Sequence, residues 1–507
     1  MAFEIIQQPI DDNTSASGTD RVPVLTNYTP ACGYMIYRSD DISSYFYYKI
    51  VMEVRDTDAS GTLLAKIKQR RNGYAPDVSS NYARAFFDLR DINEIVNSQL
   101  VPTTYDQNDT VAPFRTIHKL GANTPAKPFS KSGDAIQGKG QMLLVFIKAY
   151  ENYSTSASAI PTDQTGDAVT NDLWWAKASL PITTERDAIT GGALEYIQGD
   201  AFALYRARLV DNFFLSDVKP MVAQNYHGVN FGTTNGIIVN FLDSNDYHTL
   251  AFMNYNTGFF SNVKFIEIVY YDADASLIGS KQYFENVSAN GSAIPTGAKT
   301  KFKALLYFGC GVKQLETQSL NTSARPSNFS GWKFYTIRGA NTSTPSSDSD
   351  YETREYYFAK KSSANCKGFK SRRLAWFNSK GGYDYFNFTM KSRQSLDITR
   401  DNYETILGRF GGDFYSYNNT GRGKITRKTG AILKETLQTD FIREEEAQLL
   451  ESLFTSIRVD IVENDDTDFT ESVIITDTSF VKKTEANERL IQYTVNIEYA
   501  NPRNTNN

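Results

Sequence analysis

Three stretches of this chain carry residues in a ligand-loop order, and each departs at the position its chemistry requires. Gly133-Asp-Ala-Ile-Gln-Gly138-Lys139-Gly140 has the glycines and lysine that cradle phosphate. A phosphate loop also needs Ser or Thr after the lysine, to hold magnesium, and it opens a helix. Here Gly140 follows the lysine and a strand-like run comes next, so the stretch reads as a turn. Asp56-Thr-Asp58-Ala-Ser60-Gly61 begins like a calcium loop, but the twelfth position, where a bidentate carboxylate belongs, is Ile67. Asp465, Asp466 and Asp468 read as a solvated acidic loop between strands. The chain has three histidines, His118, His227 and His248, and a zinc site or a Ser-His-Asp triad would have to draw on them. No HExxH, GxSxG or cysteine ligand pair accompanies them, so they read as packed or loop residues. No motif points to the paired carboxylates of glycoside hydrolysis, whose spacing is spatial rather than sequential. The expectation is a protein without catalytic, cofactor or metal residues.

The elements that would position any such group are mostly strands. Aromatic residues are abundant, with 31 Tyr, 32 Phe and 4 Trp in 507 residues, and these suit half-buried pleated surfaces and interfaces. YFYYKIVMEV (45–54) and TLLAKIKQR (62–70) flank the turn RDTDASG, and ARAFFDLRDINEIVNSQL alternates before a short helix carrying Ile92, Ile95 and Val96. QMLLVFIKAY (141–150) reads as a buried strand, as do GIIVNFL, VKFIEIVYY and KFKALLYFGCGV further on. The turns VRDTDASGTLLAK and VYYDADASLIGSK resemble each other, which fits either a duplicated domain or convergent turn chemistry. RLAWFNSKGGYDYFNFTM reads as a hairpin turning at residues 378–382, where Gly381 and Gly382 permit positive φ. Residues 440–457 form the clearest amphipathic helix. Ile442, Leu449, Leu450, Leu453, Phe454 and Ile457 share a face, and Thr439 or Asp440 is placed to cap it. RVDIVE, SVIITD and LIQYTVNIEYA supply the last strands.

The expected fold is therefore mainly β, in several sandwich- or barrel-like units with a few helices. The division predicted is an extended arm at 1–25, a first β domain at 26–135 and a central β region at 136–338. A low-complexity linker at 339–353 and a C-terminal β domain at 354–507 complete it. A net charge of −5 argues against a dedicated nucleic-acid binder. Two basic stretches, 360–373 and 422–434, read as solvated faces or as contacts to a neighbouring subunit or to DNA phosphates. Cys32, Cys310 and Cys366 are sparse and unpaired in spacing, which suits reducing conditions. The first residues lack a basic n-region and an apolar h-region, so no cleaved signal is expected, and no apolar run is long enough for a membrane span.

Trp376–Phe388, WFNSKGGYDYFNF, resembles a motif of virion structural proteins from tailed bacteriophages, including crAss-like and marine-bacterium phages. There a strand ends in a large apolar residue, followed by Asn, a double-glycine turn and an aromatic-Asp-aromatic strand. Here these are Trp376, Asn378, Gly381, Gly382, Tyr383, Asp384 and Tyr385. The C-terminal block, with its helix core of Leu449, Leu450, Leu453 and Phe454, and the N-terminal TLLAKIK and FFDLRDI resemble the same group. Residues 110–350 do not. The resemblance implies a structural role with no reactive group. The implied assembly is a cyclic homo-oligomer, six- or twelve-fold, forming a ring in the neck, tail or baseplate beside other virion proteins. It would be made in the host bacterial cytoplasm and would touch packaged DNA only non-specifically. Two alternatives are a receptor- or carbohydrate-binding tail module, suggested by Tyr45–Tyr48, Tyr356 and Tyr357, and a virion depolymerase on a β scaffold. The arm and the 153–172 loop, polar and Ser/Thr-rich, are expected to lie on neighbouring subunits.

Overall fold

Besides a few other positions, the computed structural model describes residues 3–7, 24–25, 34–40, 42–56, 59–70, 82–89, 129–131, 142–176, 239–244, 246–254, 265–285, 304–312, 331–347, 350–351, 353, 355–360, 369–378, 382–416, 423–462, 470–483 and 491–501. Among them the chain is mainly β, with several multi-stranded sheets, no closed barrel and one α-helix. It divides into two compact units, Met1–Lys361 with Phe377–Asp384, and Ser362–Trp376 with Tyr385–Asn507.

The first unit holds two sandwiches. In the first, a five-stranded sheet runs in the order Val24–Leu25, Thr162–Ala176, Met142–Ser154, Phe46–Asp56, Leu63–Arg70. It faces a three-stranded sheet of Phe3–Gln7, Tyr34–Asp40 and Tyr82–Asp88. Period-two alternation explains the packing: Ile50, Met52 and Val54 point inward against Met35, Tyr37, Ala85 and Phe87. Each such fully buried aliphatic or aromatic side chain contributes about 1.5–3 kcal/mol. The second sandwich has a five-stranded sheet of Val239–Leu242, Tyr356–Lys360, Phe334–Ala340, Phe265–Tyr271 and Gln282–Glu285. Its smaller sheet is Thr249–Asn254, Ala304–Gly309 and Phe129–Lys131, and Ile266, Ile268, Tyr335 and Phe358 share a core with Leu250 and Phe308.

The two sandwiches repeat one topology. In each, a short strand that pairs in parallel at one edge is followed by a strand of the small sheet and then a hairpin. A second strand of the small sheet and a second hairpin complete each set of seven. The two similar turn sequences occupy the same place in both, joining Phe46–Asp56 to Leu63–Arg70 and Phe265–Tyr271 to Gln282–Glu285. Shared strand order together with matched turns supports internal duplication over convergent turn chemistry. In the second turn the Asp272 carboxylate accepts from the Asp274 and Ser276 backbone N–H groups, so this oxygen ligand is consumed locally.

Several expected boundaries are corrected by the pairing. The strand at 142–154 belongs to the same sheet as 46–56, with Lys49 opposite Asn152, so no domain boundary falls at 135. Phe129–Lys131 pairs with the 304–309 strand of the second sandwich. The segment 339–353 is not a linker: it connects two paired strands of one sheet, Ala340 and Thr353 are buried, and Thr353 Oγ1 accepts from the Gly339 N–H at 2.7 Å. Its serines and Asp350 make turn hydrogen bonds, with Asp350 accepting from the Ser346 and Ser347 N–H groups, so polar composition reflects turn chemistry.

The two segments expected on neighbouring subunits are paired within this chain. Phe3–Gln7 lies against Tyr34–Asp40, with Phe3 stacked on Tyr37 at 5.7 Å between ring centroids. Val24–Leu25 runs parallel to Trp175–Ala176, and most of the arm lies outside the described residues. The 153–172 loop is largely the Thr162–Ala176 strand plus a tight turn. There Ser154 Oγ accepts from the Ser156 N–H and Ser156 O accepts from the Ala159 N–H.

The second unit is built on a seven-stranded sheet in the order Tyr383–Phe388, Arg372–Phe377, Val459–Val462, Thr470–Ile475, Thr494–Tyr499, Lys424–Gln438, Arg393–Glu404. The expected hairpin of 376–388 exists, but two strands separate it from the final strand. The helix spans Glu444–Thr455, shorter at both ends than 440–457. Thr439 is not its cap: Thr439 Oγ1 accepts from the Tyr493 N–H at 2.9 Å, and Ile442 bridges to Ile491. The Glu446 carboxylate instead accepts from the Arg443 N–H at 3.0 Å at the helix start. Leu449, Leu450 and Leu453 are buried, Phe454 is half-buried against Phe480, and Ile457 lies past the helix end, 61% exposed. The last two strands in sheet order form a long hairpin, Arg393–Glu404 against Lys424–Gln438, that sequence reading did not anticipate.

Candidate functional site

The aromatic-Asp-aromatic hairpin is fixed by buried hydrogen bonds. Trp376 is fully buried and its Nε1 donates to Ser452 Oγ on the helix at 2.9 Å. Asn378 shapes the turn: its N–H donates to Gly382 O, and its Oδ1 accepts from the Gly382 N–H, both at 2.9 Å. The buried Asp384 carboxylate accepts from Asn378 Nδ2 at 3.1 Å, from the Asp217 N–H at 2.8 Å and from the Ser216 hydroxyl. Tyr383 packs edge-on to Phe377, and Tyr385 lies under the Arg373 guanidinium at 4.9 Å. Gly381 lies outside the described residues. Sequence reading placed the hairpin but not Ser216, which is 168 residues from Asp384.

In the basic stretch at 360–373, three of the described cations are engaged within the chain, while Lys370 is exposed. Arg373 is buried and donates to Asn387 Oδ1 at 2.8 Å, Arg372 pairs with Glu435 at 3.0 Å, and Lys360 sits over the Trp332 ring at 5.3 Å. These cations hold strands together instead of presenting a solvated face. The stretch at 422–434 is mostly the strand Lys424–Gln438, and Lys434 pairs with Asp397 at 2.6 Å.

A dense polar cluster lies on the first sandwich, where Glu53 sits directly opposite Lys66 on the paired strand. Glu53 accepts from Tyr150 at 2.7 Å and Arg55 at 3.0 Å and pairs with Lys66 at 3.0 Å. Asp163 closes the network, accepting from Asn152 at 2.7 Å and Lys66 at 3.1 Å. Burial works to raise the Glu53 pKa, but hydrogen bonds from Tyr150, Lys66 and Arg55 outweigh it and lower it from 4.5 to about 2. Burial pushes the Tyr150 phenol up to about 12. Both groups thus keep their ordinary charge at neutral pH, which suits a structural network.

A pH dependence follows. Folded Glu53 binds its proton less readily than unfolded, so its contribution is fully present above 4.5 and is lost as pH falls toward 2. Urea unfolding of wild type and Glu53→Gln at neutral pH and on the acid limb checks this. Their stability gap is expected to shrink across that window; a constant gap would refute it.

His248 is buried, edge-on to Phe358 at 5.0 Å between centroids, while its carbonyl accepts from the Cys310 and Gly311 N–H groups. His118, His227, the 133–140 turn, the 465–468 acidic loop, Cys32 and Cys366 lie outside the described residues. Among the described residues no three His, Cys, Asp or Glu side chains gather to hold a metal ion, and no helix is long and apolar enough to cross a membrane.

Of the aromatics that suggested glycan binding, Tyr48 and Tyr356 are buried and Tyr45 stacks on Tyr153 at 3.7 Å. Phe46 and Tyr47 stay exposed, and Tyr47 takes a left-handed φ of 57° that a non-glycine residue adopts only under constraint. Its hydroxyl donates to Ala157 O at 2.9 Å.

A long exposed feature is the ribbon of Arg393–Glu404 and Lys424–Gln438. All twelve residues of its outer strand are exposed. Before Lys434, over residues 424–433, the inner strand pairs only with the outer one among the described residues. Twelve residues span about 40 Å at ~3.3 Å per residue. Between the two strands the chain folds a smaller hairpin, Arg409–Gly411 against Phe414–Ser416, whose turn uses Gly412 at φ 63°. No family model matches the chain, and no curated protein shows significant similarity to it.

Proposed function

We propose that the chain is a structural component of a tailed-phage virion, assembling as a symmetric six- or twelve-fold ring in the neck, tail or baseplate. The observation that carries this reading is the ribbon. A two-stranded hairpin is marginally stable in water by itself, and this one exposes Leu396, Ile398, Tyr403 and Phe414 where a lone chain gains nothing from them. Sandwich units, a duplicated topology and buried carboxylates engaged in hydrogen bonds agree with a non-enzymatic role. The resemblance of Trp376–Phe388 and of the C-terminal block supplies the virion context. Other virion proteins, the host bacterial cytoplasm as the place of assembly and non-specific DNA contact are part of the same proposal.

The arm and the 153–172 loop no longer support assembly, since their described parts pair within the chain. Electron microscopy and mass photometry of the purified full chain test the reading: closed rings are expected, and a species that stays monomeric at every concentration counts against it. A receptor- or glycan-binding module is the second reading, favoured by exposed Phe46 and constrained Tyr47. Glycan-array binding lost on Phe46→Ala and Tyr47→Ala would favour that alternative.

A further inference from the structure

We infer that the 393–438 ribbon is the arm by which one copy of this chain docks on the body of a second copy. The inference rests on the assembly reading above and assigns its contact surface. Three observations support it.

The tip is apolar and built. Ile406 and Phe414 are 76% and 78% exposed, and Leu407 and Tyr415 are nearly half exposed. Yet the tip is not loose: the Tyr415 hydroxyl donates to Leu407 O at 2.7 Å, and the Thr405 N–H donates to Gly423 O at 2.8 Å. The Tyr415 ring covers Gly408 so closely that any Cβ there would overlap it, and Leu407 does the same over Gly423. Two glycines and a tyrosine thus hold apolar side chains outward in one arrangement. Preorganisation of this kind lowers the entropic cost of docking.

The second observation is charge. Residues 393–438 carry eight Lys or Arg against five Asp or Glu, a balance of +3, while the whole chain stands at −5, so the remainder carries −8. A ribbon of one sign on a body of the other is self-complementary between copies and favours a head-to-tail contact, the geometry that closes rings. Nucleic acid would also meet the positive charge, and the test below separates it from a second copy.

The third observation is the edge itself. Arg393, Asp397, Arg400, Asp401 and Glu404 stud the outer strand with charges of both signs, which blunts open-ended strand addition. Contact through the faces and tip is what remains.

The test uses the full chain in sedimentation velocity and native mass spectrometry. Ile406→Ser/Phe414→Ser changes exposed side chains, so an unchanged melting temperature and circular dichroism should accompany an association at least about tenfold weaker, the scale of a lost hot spot. Lys424→Glu/Arg427→Glu/Lys428→Glu should weaken it as well and flatten its salt dependence. If wild type forms rings and both variants form them equally well, the ribbon assignment fails while the assembly reading stands. If wild type never self-associates, both fail. Binding of duplex DNA that the charge variant abolishes, with self-association untouched, replaces the second copy with nucleic acid and overturns the inference.

Discussion

Arg372→Ala is expected to destabilise the second unit by about 3–5 kcal/mol, the scale for stripping one partner from a buried ion pair. Glu435 has a fully buried side chain, and Arg372 Nε lies 3.0 Å from its Oε1. Tyr499 and Gln394 donate to Oε2 at 2.5 and 3.0 Å. Burial works to raise the Glu435 pKa, but those hydrogen bonds and the Arg372 charge hold it below the ordinary carboxylate value. Without the guanidinium the carboxylate stays in an apolar interior with only neutral donors, which costs far more than the pair itself contributes. The paired replacement Arg372→Met/Glu435→Leu is therefore expected to recover only part of the loss, because the buried Tyr499 hydroxyl then lacks its acceptor. Guanidinium-induced unfolding followed by tyrosine and tryptophan fluorescence measures both variants. A single variant within 1 kcal/mol of wild type, a threshold set at roughly an ordinary surface substitution, would sink the argument.

Leu450→Ala should cost about 2–5 kcal/mol, because it removes buried methyl groups and leaves a cavity that the neighbours fill only partly. Leu450 and Leu453 are both fully buried on the helix face, with Leu449 and Ala447 beside them. Ile457→Ala supplies the contrast. That side chain is 61% exposed and past the helix end, so its loss should stay within about 0.5 kcal/mol. Equal losses at 450 and 457 would mean that the helix continues and presents a different face, contrary to the Glu444–Thr455 span.

What was legible in the sequence is local. The strand at 494–499 announces itself because its side chains alternate between a buried and a less buried face, and those at 46–56 and 265–271 because short apolar and aromatic runs suit strands buried on both faces. The hairpin at 376–388 was readable from Asn378 and its following glycines, and the helix core from the spacing of Leu449, Leu450 and Leu453. The ends of that helix were not. Thr439 has the chemistry of a cap, but its hydroxyl is taken by the Tyr493 N–H, 54 residues away.

The ribbon escaped notice for the same reason that makes it accessible. With every residue of Arg393–Glu404 exposed, neither face is selected to be apolar, and a strand without a buried face leaves no period in the sequence. The Ser-rich loops misled in the opposite sense, since turn hydrogen bonds use the same residues as unstructured tails. Which strands share a sheet, and therefore where the units begin and end, was settled only by pairing over long separations. Glu435 meets Arg372, and Ser216 meets Asp384, through backbones that place them side by side. Residue type and spacing determine which face of each segment seeks burial. They leave open which other segment supplies that burial, because apolar burial is non-directional and many pairings satisfy it locally. Only the folded chain, with its buried charges and turns satisfied together, selects one.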